Sequence, residues 1–145
     1  MKVTDEPVVI TQLFDYSKEI VWNAMTQHSQ IINWFFEQIP EFKAEIGFKT
    51  EFNVETLNRI FCHLWEIIEV IPFQKIVYNW KYQGENGDSN VSFNLIEKGH
   101  STLLILTTEI KENFDDTIPE FRRESCEAGW NYFITERLVK YLQHD

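Results

Sequence analysis

The sequence predicts an α+β fold in which one long C-terminal helix lies across a curved antiparallel β-sheet. Three observations support this: an N-terminal strand leads into two short helical patterns, a run of alternating strands follows, and one long helical pattern comes last. So few helices can cover only one face of a sheet, which is a layer arrangement typical of α+β domains. The 145 residues are the usual size of one domain, so a single domain over residues 1–145 is expected.

The first strand and the two short helices have clear sequence signals. The segment VVITQLF, Val8–Phe14, is rich in β-branched residues, as strands are. Ser17 is a suitable N-cap for a helix that starts KEIVWNAM, and Glu19 lies in its first turn, where the helix dipole favours an acid. The segment HSQIINWF suggests a second short helix. The apolar side of the first helix is expected to comprise Ile20, Val21, Ala24 and Met25.

The central segment predicts several antiparallel strands. GFKTEFNV alternates strictly between apolar and polar residues, and IFCHLWEIIEVI (Ile60–Ile71) is a longer apolar strand that Pro72 breaks. KIVYNWKY, NVSFNLIE and TLLILTTEI continue the run, and the Asn-Gly pair in GENGD predicts a hairpin turn because such turns need positive φ. The residues expected to share the inner sides of these strands are Phe48, Thr50, Phe52, Val54, Ile76, Tyr78, Trp80, Tyr82, Val91, Phe93 and Leu95.

The last element is predicted to be a helix that begins in the segment TIPE. Thr117 and Glu120 have the spacing of a capping box, and Pro119 suits the first turn. From there to Leu142 only Gly129 interrupts the pattern, so about 24 residues would span roughly 36 Å. Its steps of three and one define a single helical face, formed by Cys126, Gly129, Trp130, Phe133, Ile134, Arg137, Leu138 and Tyr141.

The composition excludes several classes of partner. A net charge of −10 repels phosphate backbones and anionic lipid surfaces, so neither nucleic acid nor membrane is expected as a partner. The N-terminal residues lack a signal peptide, and no apolar run reaches about 18 residues, so a cytoplasmic location is expected. The two cysteines, Cys62 and Cys126, cannot build a disulfide framework.

Motifs for catalysis, metals and phosphate are missing from the sequence. No serine lies in a nucleophile motif, and no glycine-rich loop is suited to phosphate. We therefore expect no catalytic residue, no cofactor and no metal, and a non-enzymatic protein is the favoured interpretation. The histidines are scattered and the cysteines are not paired at ligand spacing; these residues are His28, His63, His100, His144, Cys62 and Cys126.

Four runs, in order, resemble one protein family. FDYSKEIVWNAMTQHSQIINWF, EVIPFQKIVYNW, VSFNLIEKGHSTLLILTT and GWNYFITERLVKYL are similar to runs of the START-like (SRPBCC) superfamily, and within it to the group named after the activator of the heat-shock chaperone ATPase. The resemblance covers nearly the whole chain. It implies a helix-grip fold, in which a bent antiparallel sheet grips the C-terminal helix around a cavity. In the superfamily this cavity often takes lipids, sterols, polyketides or other apolar molecules.

Candidate site residues follow from the expected cavity. Arg137 interrupts the apolar helical face, either as a snorkelling side chain or as a cationic group at the cavity mouth. Alternation in the strand that carries His63 and Glu66 sends one of them inward, and Glu66 is the acid of most interest because a buried acid needs a partner. The aromatic candidates for the cavity wall, each with ordinary core packing as its alternative, are Phe48, Phe52, Tyr78, Trp80, Tyr82, Phe93, Trp130 and Phe133.

Three functions are compatible with these features. The first is non-catalytic binding of a small hydrophobic or lipid-like ligand, in a cavity of roughly 300–1,000 Å³. The second is a protein-interaction module resembling a chaperone cofactor, with an outer apolar patch of Val77, Leu103 and Ile105 as a homodimer or partner contact. The third, which is least favoured, is a cyclase or hydrolase type of enzyme that uses the same cavity through Glu66, His63, Tyr78 and Arg137.

Overall fold

The structure, a computed structural model, describes residues 1–144. Six strands and a set of helical segments follow the predicted order. The strands are β1 (Val8–Phe14), β2 (Lys49–Glu55), β3 (Ile60–Ile71), β4 (Lys75–Tyr82), β5 (Asp88–Lys98) and β6 (Ser101–Glu112). The helical segments are α1 (Lys18–Thr26), α2 (His28–Trp34), a 3₁₀ turn (Pro119–Phe121), α3 (Arg123–Trp130), a π-helical segment (Asn131–Leu138) and α4 (Val139–Gln143).

All six strands form one curved antiparallel sheet, which confirms the predicted fold class. The strand order is β1-β6-β5-β4-β3-β2, so β1 and β2 are the edge strands. Register shifts occur between Ile67 and Glu69 in β3 and between Asp88 and Ser89 in β5. Bulges of this kind increase local twist and bend a sheet. The sheet therefore has an inner face, covered by the helices, and an outer face on the opposite side.

The alternation of side chains assigns the inner face as the sequence predicts. Phe52 in β2, Tyr78 and Trp80 in β4, and Val91 and Phe93 in β5 are all buried. In β2 and β5 the residues between them are more exposed, because successive side chains point to opposite faces of a strand. One contiguous core joins this face to the helices.

Helix α1 begins where the sequence predicts, and three of the four residues expected on its apolar side, Val21, Ala24 and Met25, are buried. Ser17 is the N-cap, and its hydroxyl accepts a hydrogen bond from the Ile20 N–H at 3.3 Å. Ile20 was expected on the buried side of this helix, yet 47% of its surface is accessible to solvent. Trp22 is buried instead and its ring lies 6.0 Å from that of Phe73. A large aromatic ring gains more from burial than one isoleucine, which sets the rotation of the short helix.

The final helix begins later than predicted. Arg122 has extended backbone (φ −85°, ψ 154°), so the 3₁₀ turn is separate and the helix starts at Arg123. The predicted capping box does not form, because the Thr117 N–H and hydroxyl both donate to the Asp115 carboxylate, at 2.9 and 2.6 Å. An aspartate two residues upstream thus satisfies the groups that the box would have used.

The middle of the final helix is a π-helical segment, which the sequence pattern did not predict. In an α-helix four residues overshoot one turn by about 40°. The wider turn of a π-helix, with its i→i+5 bonds, removes that overshoot. Side chains four residues apart therefore stay in one row, and the buried row is Trp130, Ile134, Leu138 and Leu142.

The β4–β5 connection differs from the predicted hairpin turn. It covers residues 83–87, and the glycines Gly84 and Gly87 have positive φ while Asn86 does not. A two-residue type I′ turn at Asn86-Gly87 would need positive φ at both positions. Gly87 is also required for space, because a Cβ atom there would overlap the ring of Phe114. Among the described residues, no helix combines the length and apolarity needed to span a bilayer.

Candidate functional site

A cavity of about 240 Å³ lies between the inner face of the sheet and the start of the C-terminal helix. At one end it is bordered by the main core, through Phe36, Trp80 and Trp130. At the other end it borders a second, smaller aromatic cluster, formed by Phe61, Phe114, Ile118 and Phe121. The cavity thus occupies the junction between two clusters that do not close completely on each other.

The mouth of this cavity is at the end that carries the second cluster. Ser125 is exposed, while Thr56 and Glu120 are half-buried, and all three line the cavity. Met1 lies beside them, and its α-ammonium is paired with the Asp116 carboxylate at 3.0 Å. A ligand could therefore enter from solvent at this end without passing through the main core.

Aromatic rings form most of the cavity wall. Tyr82 joins the two clusters: its ring stacks on Phe121 at 4.8 Å and meets the His63 ring edge-on at 4.7 Å. On the helix side, Trp130 contacts Trp80 with centroids 5.5 Å apart. Walls of this kind suit a mainly apolar ligand, with specificity supplied by a few polar atoms.

His63 lines the cavity, and its imidazole ring is uncharged at neutral pH. Burial lowers its pKa from 6.5 to about 4, although its hydrogen bond with the Phe61 carbonyl opposes the shift. That bond joins Nδ1 to the carbonyl oxygen at 3.2 Å. A neutral ring that donates from Nδ1 carries its lone pair on Nε2, so the side chain offers an acceptor.

Two further polar groups in the wall are buried without hydrogen bonds. Trp80 and Thr108 are buried, with only 7% and 4% of their surfaces accessible to solvent. Neither Nε1 of Trp80 nor Oγ1 of Thr108 makes a hydrogen bond. The Tyr82 hydroxyl is close enough to interact with Trp80, and the Cys126 thiol with Thr108, but neither contact has hydrogen-bond geometry. Buried polar atoms are nearly always paired, so two unpaired ones on a cavity wall are consistent with a ligand.

Tyr82 and Cys126 are two further titratable residues of the wall, and both are uncharged at neutral pH. Burial raises the pKa of the Tyr82 hydroxyl well above its ordinary range. Burial likewise raises the pKa of the Cys126 thiol to about 11, so it is not a thiolate nucleophile at neutral pH. Within residues 1–144, His, Cys, Asp and Glu side chains form no group of three that could hold a metal ion.

Gly129 opens the helix side of the cavity. A glycine inside a helix can reflect a close approach of the helix to a neighbouring element. A Cβ atom built at Gly129 would have nothing within 4 Å, so no close approach exists. Because Gly129 lines the cavity, its missing side chain leaves space for a ligand instead.

The structure places four of the predicted wall residues at the cavity and four elsewhere. Trp80, Tyr82, Trp130 and Phe133 line it. Phe52, Tyr78 and Phe93 face inward but are covered by other rings and belong to the core, with Trp65 packed against both Phe52 and Tyr78. Phe48 precedes β2 and packs on Phe42 at 6.1 Å. These last four lie away from the cavity because neighbouring rings already fill the space in front of them.

Glu66 is not part of the cavity. Residues 61, 63, 65 and 67 of β3 face inward and are buried, so Glu66 lies on the outer face. There it pairs in register with Lys49 of β2 and Asn79 of β4. Alternation had left His63 and Glu66 as competing candidates, and the structure selects His63.

Arg137 also lies outside the cavity. Its Nη2 donates to the carbonyl oxygen of Asn33 at 2.8 Å, and its guanidinium lies 5.8 Å from the centroid of the Tyr132 ring. Asn33 is in the last turn of α2, where carbonyl groups lack partners within the helix. Arg137 therefore joins the C-terminal helix to α2 and lines a shallow surface depression with Lys140.

Sequence reasoning missed two important wall residues. Phe36 follows α2 in an irregular segment, yet its ring lies 4.9 Å from those of both His63 and Phe133. The adjacent aromatic pair Phe35-Phe36 was a usable signal for a buried segment. Thr108 continues the inward series of β6 after Leu104 and Leu106, and a hydroxyl at a core position was the second signal.

Comparison with known proteins assigns a family. Residues 15–143 match the model of the family described as "Activator of Hsp90 ATPase homolog 1-like protein". This match confirms the resemblance that the four sequence runs predict. No curated protein sequence matches the chain.

Solved structures share the fold at low sequence identity. DynU16, from the dynemicin biosynthetic locus, is 20% identical with a TM-score of 0.76, and the match covers 96% of this chain and 48% of DynU16. CV1439 from Chromobacterium violaceum is 18% identical with a TM-score of 0.79, covering 96% and 98%. CalU16 from Micromonospora echinospora is 23% identical with a TM-score of 0.66, covering 96% and 75%. This chain thus spans about half the length of DynU16, and these identities show a common fold alone.

Proposed function

The chain belongs to the family of Activator of Hsp90 ATPase homolog 1-like proteins, and from this premise we propose that it binds a small, mainly apolar molecule without catalysing a reaction. The binding site is the cavity between the sheet and the C-terminal helix. The observation that carries the proposal is an aromatic cavity of about 240 Å³ in which Trp80 and Thr108 present unpaired polar atoms.

The size of the cavity limits the ligand. It is somewhat smaller than the roughly 300–1,000 Å³ of pockets for drug-sized molecules. A compact molecule of one or two rings suits this space, whereas a long acyl chain would have to leave through the mouth near Ser125. Apolar contact with the rings would supply most of the affinity, since burial of apolar surface is the main favourable term.

The proposal is tested with a substitution that fills the cavity from the helix side. Gly129→Leu places a side chain in the open space that the glycine leaves. Ala128→Leu is the matched control, because Ala128 is the adjacent helix residue and is exposed. Binding of N-phenyl-1-naphthylamine, an uncharged probe that fluoresces in apolar surroundings, is measured by titration for the parent protein and both variants.

We expect the parent and Ala128→Leu to bind the probe with similar affinity, and Gly129→Leu to lose at least tenfold. Circular dichroism and thermal unfolding establish that both variants are folded, and Gly129→Ala provides a smaller step in the same direction. Equal probe binding by all variants, or no binding by the folded parent, would contradict the proposal. Native mass spectrometry of the protein purified from cells adds an independent search for a bound molecule.

A protein-interaction role is the second candidate, and exposed apolar side chains on the outer face favour it. Leu13, Leu103 and Ile96 are cross-strand neighbours on β1, β6 and β5. In Leu13 and in Val9, 53% of the residue surface is accessible to solvent. Val77 was expected in this patch, but it is buried between β3 and β5 in the middle of the sheet. The family description, which names chaperone ATPase activation, is compatible with such a role.

An enzymatic role has the least support. Of the four groups considered for it, His63 lines the cavity, while Glu66, Tyr78 and Arg137 lie elsewhere. The four groups do not converge, and so they provide no acid and base pair at one site.

A further inference from the structure

We propose that the ligand of this cavity is uncharged and is anchored by an oxygen acceptor that takes the indole N–H of Trp80. This inference rests on the proposed function and specifies the chemical class of the ligand. The unpaired polar groups of the wall, the charge of the wall and the contrast with the buried Trp34 support it.

The Trp80 indole N–H is an unpaired donor on the cavity wall, whereas the indole N–H of Trp65 is also unpaired but lies outside the cavity. The Ser89 hydroxyl donates to the Trp80 carbonyl at 2.9 Å, so the backbone at this position is satisfied. The indole N–H of Trp34, another buried tryptophan, donates to the Ala24 carbonyl at 2.8 Å. Buried indoles normally find such a partner. The Trp80 N–H has no such partner, and Trp80 lines the cavity. An acceptor atom of a bound ligand would therefore supply the missing hydrogen bond.

The charge of the wall excludes an anionic ligand. No lysine or arginine side chain of residues 1–144 lines the cavity, and the Met1 ammonium at its mouth is already paired with Asp116. His63 is neutral because burial lowers its pKa to about 4. Glu120 lines the mouth and would repel a second carboxylate. A buried anion without a counter-charge is strongly unfavourable.

A cationic ligand fits the wall no better. An ammonium group carries donors and no acceptor, so it would leave the Trp80 N–H unpaired. A neutral molecule with a carbonyl, ether or phenol oxygen avoids both problems. The Thr108 hydroxyl lies two strands away on β6, beyond Val91 of β5, and provides a second polar contact along the same wall.

The experiment compares three probes that share one ring system: naphthalene, 2-acetonaphthone and 2-naphthoate. The first has no acceptor, the second has a neutral carbonyl oxygen, and the third is an anion. Dissociation constants are measured by equilibrium dialysis for the parent protein, Trp80→Phe and Trp65→Phe. Trp65→Phe is the matched control, because Trp65 is also buried with an unpaired indole but does not line the cavity.

We expect the parent to bind 2-acetonaphthone about tenfold more tightly than naphthalene, as one buried hydrogen bond allows, and 2-naphthoate most weakly. Trp80→Phe should lose the preference for the ketone over naphthalene, measured as the ratio of the two dissociation constants within that variant, while Trp65→Phe should keep this preference. A measurement on the parent alone avoids any folding defect: the Trp80 indole N–H resonance should shift with the ketone far more than with naphthalene.

The outcomes separate the two proposals. If none of the three probes binds the folded parent, the proposed function fails and this inference fails with it. If naphthalene binds but the ketone has no advantage, or 2-naphthoate binds as tightly as the ketone, the inference alone is overturned. An unchanged ketone preference in Trp80→Phe would also overturn it.

Discussion

At the scale of single residues, the inner face carries polar groups that ordinary packing leaves incomplete. Thr108 and Trp80 are buried without hydrogen bonds, and each such group costs about 1–3 kcal/mol of stability. A chain selected only for stability would have valine at position 108, which fills similar space without the hydroxyl. Groups retained at such a cost are concentrated at binding sites, which is why the cavity wall is the part of the molecule with functional interest.

His63 gives a residue-scale prediction about pH. Burial holds its pKa at about 4 in the native state, below the 6.5 of an exposed imidazole. Between these two values the unfolded chain binds a proton that the native state does not, so native stability falls as pH falls from 6.5 towards 4. From pH 7 to pH 5 the loss due to this residue is about 2 kcal/mol.

Urea unfolding at pH 7 and pH 5 measures this loss. His63→Phe removes the titratable ring, so its free energy of unfolding should change about 2 kcal/mol less between the two pH values than that of the parent. His100→Phe, at an exposed histidine, is the matched control and should behave like the parent. The same pH response in the parent and in His63→Phe would show that His63 is not held neutral by burial.

At the scale of secondary-structure elements, the C-terminal helix is shaped by what it covers. Its π-helical segment keeps four large side chains in one row against the sheet, which a regular α-helix would rotate away. The Thr135 hydroxyl donates to the Asn131 carbonyl at 2.7 Å within this segment. π-Helical turns occur often at functional sites, and here the segment begins directly after the cavity residue Trp130.

Arg137 gives the element-scale prediction. Arg137→Met keeps an apolar stem but removes the donor to Asn33, so the C-terminal helix loses its polar link to the end of α2. We expect a loss of about 1 kcal/mol in the free energy of unfolding, since the bond is charged but accessible to solvent. Hydrogen exchange should also become faster in the last turn of α2.

Lys140→Met is the matched control for this prediction. Lys140 is exposed, lies on the same helix and lines the same surface depression. It should leave both the unfolding free energy and the exchange rates within error of the parent. Equal losses in the two variants would mean that charge near the helix end, and not the Asn33 hydrogen bond, is responsible.

At the scale of the whole molecule, the two faces of the sheet have different roles. The inner face holds the cavity, whereas the outer face of β1, β5 and β6 carries apolar side chains that nothing in residues 1–144 covers, notably Leu13 and Ile96. Strand β1 is also an edge strand, with backbone groups available for pairing. A second copy of the chain could cover both features at once.

The whole-molecule prediction concerns association. Light scattering over a range of concentrations should show the parent approaching twice its monomer mass, because association buries the apolar patch. Leu13→Glu should remain monomeric throughout. Leu57→Glu is the matched control, since Leu57 is fully exposed in the β2–β3 connection, at the opposite edge of the sheet. A parent that is monomeric at every concentration would contradict the homodimer.

The order, type and inner face of nearly every element could be predicted from the sequence. β1 and β3 have the predicted bounds, and the alternation in β5 assigns the buried residues correctly, whereas in β4 Val77 is buried in addition to the inward-facing residues. These features depend on neighbours along the chain, because the periods of strands and helices are local properties. The start of the last helix was wrong for a related reason: two local hydrogen-bond partners compete for Thr117, and the nearer aspartate prevails.

Which of the inward rings line a cavity, and which are covered, was decided by the tertiary structure. Trp80 and Tyr78 are two residues apart on one strand and share the inner face, yet Trp80 borders open space while other rings enclose Tyr78. The residues that line the cavity with Trp80 include Gly129 on the helix and Phe36 in a loop, both remote in sequence from β4. Empty space is the sum of side chains from several elements, so no local pattern encodes it. The sequence by itself therefore determined the sheet, the helices and the inner face, whereas the position of the cavity and its unpaired polar atoms arises only when these elements pack together.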